Sequence, residues 1–221
     1  MKAQTKINKE TKIIEAAEKV FGNFGYKNAR MEEVAKEAGI TKVTLYAYFK
    51  SKENLYMAIT YKAIKNLQVK CDEAVQNTAH LLGIESVIAI TETFMDFCQN
   101  NHLYSEVMLD YFSLLRSNED IKLTDAMRES SYYQKTQEIH NYPYKLTAKQ
   151  IQRGINDKSI SSSIDPIIAT LTGWTSAVGY VKVAFASGGS DSTPFFKVSM
   201  DVLKKANLDV VRKVLAGYTK D

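Results

Sequence analysis

Residues 31–55 read MEEVAKEAGITKVTLYAYFKSKENL, and their pattern predicts two short helices joined by a tight turn. The apolar positions at helical spacing stop at Gly39, which can take the left-handed backbone that a sharp turn needs. Ile40 follows as an apolar plug, and the Thr41 hydroxyl can accept from the free amides of a helix over residues 42–48. Two helices joined in this way form a helix-turn-helix, whose second helix normally lies in the major groove of DNA.

The positive charge of the chain is concentrated around this stretch. Residues 1–52 contain 11 Lys and Arg against 6 Glu, a net charge of +5, whereas the rest contains 18 basic against 19 acidic residues. Such a distribution is typical of a module that binds phosphates. Charge alone leaves open the simpler reading that a lysine-rich surface aids solubility.

Two stretches resemble a known family. Residues 44–56, TLYAYFKSKENLY, closely resemble the T-L-Y-x-[HY]-F-x-[SN]-K-E-x-L-[FY] signature of the TetR family of bacterial transcriptional regulators. Residues 13–40, IIEAAEKVFGNFGYKNARMEEVAKEAGI, resemble the first two helices of that family. Two positions depart from its pattern: Val43 stands where Gly is frequent, and Asn28-Ala29-Arg30 stands where Ser or Thr usually caps the second helix. We expect Asn28 to serve as that cap.

Helical periodicity over the whole chain predicts an all-α fold of about nine helices. The resemblance implies a three-helix helix-turn-helix DNA-binding domain over residues 1–68 and a helical ligand-binding and dimerisation domain over residues 69–221. It further implies a homodimeric transcriptional repressor, which a small apolar or aromatic ligand releases from double-stranded operator DNA. An adaptor protein of the same fold without operator binding, and a helical enzyme using a central cavity, are the alternatives.

Nine residues are expected to contact DNA. Lys42, Val43 and Thr44 open the recognition helix, where Lys donates to guanine, Thr to several bases, and Val contacts a thymine methyl. Tyr46 and Tyr48 are expected to pack their rings and to direct their hydroxyls to phosphates. For Lys42 and Thr44, plain solvent exposure without DNA contact is the alternative. Lys50 and Lys52 are also expected to hold phosphates, and such contacts set register rather than read sequence. Arg30 and Thr41 complete the set of expected DNA-binding residues.

Aromatic and sulfur-containing residues crowd the middle of the chain and predict a pocket for an apolar or aromatic ligand. The candidate lining residues are Phe94, Met95, Cys98, Met108, Tyr111, Phe112, Tyr132 and Trp174. For any one of them, ordinary core packing is the competing interpretation.

The last two helices are expected to form the dimer interface. Asp165-Pro166 predicts one helix start, Thr193-Pro194 predicts the next, and the stretch 121–140 is predicted to be helical until Pro143 interrupts it. Small residues at a spacing of four would let a partner helix approach the first of these helices, and an apolar face would cover the second. The candidates are Gly173, Ala177, Val181, Val202, Val210, Val211 and Val214.

Other function classes find no support in the sequence. Catalytic, nucleotide-binding and metalloprotease motifs are absent, so we expect neither enzyme activity nor a cofactor. Cys98 and His102 share a helix face without further ligands, so no metal site is expected. The N-terminus lacks the apolar region of a signal peptide, and the longest charge-free stretch, residues 166–181, is short for a membrane span. A cytoplasmic protein with free thiols and no membrane partner is therefore expected.

Overall fold

The computed structural model describes residues 2–115 and 124–217, within which there are eleven helices and no β-strand. The all-α prediction is confirmed. The helices are α1 (Lys2–Asn28), α2 (Met31–Glu37), α3 (Lys42–Tyr48), α4 (Lys52–Asn77), α5 (Gly83–Asn100), α6 (His102–Leu115), α7 (Asp125–Arg128), α8 (Ser131–Ile139), α9 (Tyr142–Asn156), α10 (Pro166–Ala186) and α11 (Met200–Ala216). No helix in these described ranges is long and apolar enough to cross a membrane.

The count exceeds the predicted nine by two, and one of the two additional helices arises because the stretch 121–140 is divided. Within its described part, Thr124 caps α7 by accepting from the Met127 amide, and Ser130 caps α8 by accepting from the Tyr132 amide. Two hydroxyl caps six residues apart thus start two short helices; residues 121–123 lie outside the described residues. Pro143 does not interrupt a helix but lies in the first turn of α9, where its missing amide costs no hydrogen bond.

Two further helix starts test the sequence analysis. Asp165 caps α10, and its carboxylate accepts from the amides of Ile167 and Ile168 at 2.9 Å each, as predicted. The predicted start at Thr193-Pro194 is wrong, because α11 begins at Met200.

Residues 193–198 instead form a tight turn. The Thr193 amide donates to the Val198 carbonyl at 2.7 Å, and its hydroxyl accepts from the Val198 amide at 3.2 Å. Phe196 and Lys197 both take positive φ angles within this turn, which a continuing helix does not allow.

The described residues form two compact units whose boundaries differ from the predicted division at residue 68. Unit 1 contains residues 1–65 together with 102–140, and unit 2 contains residues 66–101 together with 141–221. Helix α4 therefore contributes its first part to unit 1 and its last part to unit 2. The segment that carries α6, α7 and α8 belongs with the helix-turn-helix rather than with the C-terminal helices.

Unit 1 is held together by packing of α1 and by polar contacts from α6. Helix α1 buries the face that carries Ile13, Ala17 and Phe21, whereas Phe24 near its end is exposed. The Glu18 carboxylate accepts from the Tyr104 hydroxyl of α6 and from the Lys62 ammonium of α4, both at 2.8 Å. One carboxylate thus joins three helices of unit 1.

Unit 2 packs α5 against α9, α10 and α11. Its core cluster contains Ile84, Val87, Ile151, Ile160, Val211 and Leu215. At the start of α5, a Cβ atom on Gly83 would lie 2.2 Å from the backbone nitrogen of Gly154. The two backbones are therefore in contact, and this crossing requires glycine.

The Lys52 side chain fixes the end of α1 in unit 1. Helix α1 is kinked at Gly25 (φ 72°). The Lys52 ammonium donates to the carbonyls of Tyr26 at 2.7 Å, Ala29 at 3.1 Å and Lys27 at 3.2 Å. Carbonyls at a helix end lack intrahelical partners and favour a cation. Lys52 thus joins the start of α4 to the end of α1.

We expect Lys52→Met to lower the free energy of unfolding by about 1–2 kcal/mol, because it keeps the aliphatic stem but removes charged hydrogen bonds to the carbonyls. Lys50→Met is the matched control, since Lys50 is exposed in the same loop region. Urea unfolding followed by circular dichroism measures both variants. Equal stability of the two variants would contradict the assigned role of Lys52.

Candidate functional site

The turn between α2 and α3 has the predicted geometry. Gly39 takes a φ angle of 65°, and the Ile40 amide donates back to the Ala35 carbonyl at 3.0 Å. Thr41 caps α3, and its hydroxyl oxygen accepts from the Thr44 amide at 3.2 Å. The two threonine hydroxyls are also hydrogen-bonded to each other at 2.9 Å. The start of the recognition helix is therefore fixed by local contacts.

The start of α2 corrects the predicted cap. Arg30, rather than Asn28, is the N-cap residue, and its backbone amide donates to the Glu33 carboxylate at 2.9 Å. The Asn28 side chain turns back to α1 and donates to the Phe24 carbonyl at 3.2 Å. The Arg30 side chain is exposed beside this helix start.

Helix α3 separates a buried face from an exposed one. Leu45 is fully buried, as is Phe49 directly after the helix, whereas Val43 is 81% exposed and Tyr46 is 40% exposed. Lys42 and Lys50 are also exposed. Thr44 and Tyr48 are half-buried, and the Thr44 hydroxyl is already hydrogen-bonded to Thr41. The outer surface of the helix is thus formed chiefly by its first two residues and Tyr46.

Lys42 has a partner that sequence spacing did not reveal. Its ammonium donates to the Glu32 carboxylate of α2 and lies 6.0 Å from the centre of the Tyr46 ring. The hydrogen bond lowers the pKa of Glu32 and raises the pKa of Lys42. Both side chains are slightly more than half exposed. The first basic residue of the recognition helix is therefore neutralised by an acidic neighbour.

The Lys52 ammonium, which was predicted to contact phosphate, donates to the protein backbone in this structure. Its ammonium donates to three backbone carbonyls and lies 4.5 Å from the centre of the Tyr26 ring. Tyr26 in turn packs against Tyr56 with ring centres 4.6 Å apart, and burial is the main cause that raises the pKa of Tyr26 to about 12. Lys52 is a structural residue here because its donors point inward.

Four of the predicted ligand-binding residues lie in unit 1 rather than around one pocket. Tyr111 is fully buried beside the rings of Tyr133 and His140, and its hydroxyl has no hydrogen-bond partner among the described residues. Met108 is buried on the same helix, and the Phe112 ring lies 6.1 Å from that of Tyr111.

Tyr132, the fourth, contacts the helix-turn-helix. Its ring is stacked 6.2 Å from that of Phe49, and its hydroxyl donates to the Glu10 carboxylate of α1 at 2.8 Å. Tyr132 thus packs α8 against the end of the recognition helix, which is a structural role in unit 1.

Unit 2 contains a small apolar cavity, with about 20 Å³ of enclosed space and about 330 Å³ when the space at its open mouth is counted. The rings of Phe94 and Trp174, both predicted as ligand-binding, lie 4.3 Å apart in its wall. Met95 and Cys98 are fully buried elsewhere in α5 and do not line it. The other lining residues are Val87, Thr91, Thr147, Ile151, Ala169, Thr170, Gly173, Ala177, Val211 and Leu215.

The three threonines make this wall less polar than their hydroxyls imply. Each hydroxyl donates to the carbonyl four residues earlier in its own helix, at 2.7–2.9 Å: Thr91 to Val87, Thr147 to Pro143, and Thr170 to Pro166. The donors are therefore satisfied without a ligand, and among the described residues no charged side chain lines the cavity.

The predicted dimer residues divide into a buried and an exposed group. Ala177, Val181 and Val211 are buried inside unit 2, so they do not offer a surface to a partner, and Gly173 and Ala177 line the cavity instead. Val202, Val210 and Val214 are exposed along α11 as predicted. Helix α10 exposes a different apolar set, which the sequence analysis missed: Ile167, Ile168 and Leu171.

Over residues 2–115 and 124–217, no three His, Cys, Asp or Glu side chains come together in a group that could hold a metal ion. Cys71 and Cys98 are both buried, and neither is part of a disulfide.

Comparisons with known proteins identify the helix-turn-helix. The family described as "Bacterial regulatory proteins, tetR family" matches residues 13–59. The chain is 43% identical over 70 residues to the uncharacterized HTH-type transcriptional regulator YhgD of Bacillus subtilis, which covers 32% of this chain and 37% of that relative. It is 30% identical over 139 residues to the HTH-type transcriptional regulator SAR2658 of Staphylococcus aureus, and this alignment covers 55% of this chain and 74% of that relative.

The first curated relatives are matched over less than half of their own length, between 37% and 48%. The fold is shared more widely. The solved structure of FadR from Bacillus subtilis in complex with stearoyl-CoA superposes with a TM-score of 0.67 at 18% identity, covering 95% of this chain and 99% of that one. With the family match centred on the helix-turn-helix and a relative matched over most of its length, the chain belongs to the tetR family of bacterial regulatory proteins, a family of transcriptional regulators rather than enzymes.

Proposed function

We propose that this protein is a transcriptional regulator that binds operator DNA as a homodimer and acts as a repressor. The observation that carries the proposal is the exposed surface of α3, where Val43 and Tyr46 project from a helix whose start is capped by Thr41. A rigid helix with exposed N-terminal residues suits insertion into the major groove. The exposed side chains of Arg30 and Lys50 supply donors for phosphates on either side.

The residues of this surface divide into reading and positioning roles. Val43 is the most exposed apolar residue of α3 and carries methyl groups that can contact a thymine methyl. Lys50 lies just beyond the end of α3, where its ammonium can contact a phosphate but not the edge of a base. Thr44, whose hydroxyl is engaged with Thr41, contributes to reading less than the sequence analysis expected.

We expect Val43→Ala to change base preference at one position of each half-site, because it removes the methyl groups that meet thymine. Lys50→Ala should weaken binding to every sequence and reduce the salt slope by about 1. Selection of bound duplexes from a random pool, followed by titration at several salt concentrations, measures both effects. A wild-type chain that selects no sequence would favour an adaptor of the same fold over a regulator.

The exposed apolar residues of α10 and α11 support dimerisation. Both helices belong to unit 2, where the Asn207 amide of α11 donates to the Ser176 hydroxyl of α10 at 2.9 Å. Both helices carry exposed apolar side chains, Ile168 and Leu171 on α10 and Val210 on α11. A two-fold interface places the same residues of both chains against each other, so these side chains would be covered by a second copy. Exposed apolar patches on a soluble protein mark interaction surfaces.

We expect Leu171→Glu to produce monomers, because a buried unpaired carboxylate would oppose association. Gln152→Glu is the matched control, since it adds the same charge at an exposed position of α9. Sedimentation velocity separates the two states. A dimer that survives Leu171→Glu would place the interface elsewhere on the chain.

A ligand for the cavity of unit 2 is part of the proposal. The wall offers aromatic rings, aliphatic side chains and threonine methyl groups, which suit a small uncharged apolar molecule. The structural neighbour FadR is solved with stearoyl-CoA. Since no charged residue lines the cavity here, its lining offers no cation to the phosphates of such a thioester.

We propose that the ligand acts through α4, which belongs to both units. In unit 2, the Tyr142 hydroxyl of α9 donates to Asp72 of α4 at 2.6 Å, and α9 also carries Thr147 and Ile151 of the cavity. A ligand that shifts α9 therefore acts on the same helix that begins beside the recognition helix at Lys52. Such a ligand must bind better to the form that does not bind DNA.

Trp174 fluorescence should report this binding, because the indole forms part of the cavity wall. We expect small apolar probes such as toluene and 1-octanol to change the emission, and operator DNA to weaken their binding by about 5–150-fold, a coupling of about 1–3 kcal/mol. Gly173→Leu should block the probes, since Gly173 lines the cavity and a Cβ there meets no atom within 4 Å. A probe affinity that is independent of DNA would exclude the coupling.

A further inference from the structure

Glu32 lies on the surface that the proposed function assigns to DNA, where an acidic side chain opposes binding. Helix α2 begins with two acidic residues, and the second, Glu33, has a structural role because it accepts from the Arg30 amide at 2.9 Å. Glu32 instead accepts from the Lys42 ammonium across the turn, a contact between residues ten positions apart. The position of Glu32 therefore concerns the recognition helix rather than the cap of α2.

We propose that Glu32 is a specificity determinant that restricts Lys42 to base contacts. This inference rests on the proposed DNA-binding function. While Lys42 is paired with Glu32, the two side chains together carry no net charge, so they contribute little attraction to phosphates. Glu32 uses one of the three N–H donors of the ammonium, so two remain, and the O6 and N7 atoms of a guanine edge can accept from them.

The consequence is a lower affinity for DNA of arbitrary sequence. Non-specific binding depends almost wholly on the release of counterions by cations that contact phosphates. An ion pair that neutralises one lysine weakens this non-specific binding, whereas the hydrogen bonds to guanine remain. Specificity is a difference between two affinities, so weakening the wrong complex raises it as effectively as strengthening the right one.

The Lys42–Glu32 pair is exposed, so it can be changed by mutation without loss of folding. The Lys42 and Glu32 side chains are 54% and 55% exposed, and exposed ion pairs contribute little to folding stability. Removing the carboxylate should therefore leave the fold intact. Glu37 provides a matched comparison on the same helix, because it is also exposed and also pairs with a lysine, Lys19, at 2.9 Å.

The test compares Glu32→Gln with Glu37→Gln, which make the same charge change, on random-sequence duplex DNA over a series of salt concentrations. We expect Glu32→Gln to bind several-fold more tightly at low salt and to steepen the salt slope by about 0.9, because it frees one cation for a phosphate. Glu37→Gln should leave the slope unchanged. Glu32→Gln should also show a weaker preference for guanine when bound duplexes are selected from a random pool.

Two further variants show whether Glu32 acts through Lys42. In the Lys42→Gln background, Glu32→Gln should change neither the affinity nor the slope beyond the effect of Glu37→Gln in the same background. A Glu32→Gln effect that matches Glu37→Gln, or that persists undiminished without Lys42, would overturn the inference while the DNA-binding function stands. Absence of DNA binding by every protein, wild type included, would overturn the proposed function and the inference with it.

Discussion

The arrangement of the helix-turn-helix depends on the hydrogen bonds that the backbone carbonyls at the end of α1 accept. The carbonyls at the end of α1, after the kink at Gly25, lack intrahelical partners, and the Lys52 ammonium at the start of α4 donates hydrogen bonds to them. Helices α2 and α3 lie between these two points in the sequence. Because both ends of that segment are tied together, the exposed face of α3 is held by the fold and not only by its own cap at Thr41.

The same unit contains the segment of α6, α7 and α8, which a division of the chain at residue 68 would assign to the regulatory half. Tyr104 of α6 donates to Glu18 of α1, and Tyr132 of α8 donates to Glu10 and stacks on Phe49. These contacts reach both the first helix and the end of the recognition helix. Helices α6 and α8 therefore belong to the same compact unit as the surface that we propose binds DNA.

The features that could be predicted from sequence are those formed by neighbouring residues. Gly39 in the turn and the caps by Thr41 and Asp165 depend on a few consecutive residues, so their chemistry is visible in the sequence. Lys52 and Glu32 could not be assigned in this way. Their partners lie 23–26 and 10 residues away, and the lysine of a family signature looks the same whether it faces phosphate or a helix end.

Small residues in α10 show the same ambiguity. Gly173 and Ala177 are spaced for close helix packing, but spacing does not identify what approaches them. In unit 2 their small size leaves space beside Trp174, so this face borders the cavity, while Leu171 lies on the exposed side. In the proposed regulator one helix therefore serves two sites, with the ligand inside and the partner chain outside. A rigid helix transmits displacement across its width, so a ligand that moves α10 would also change the geometry of the dimer.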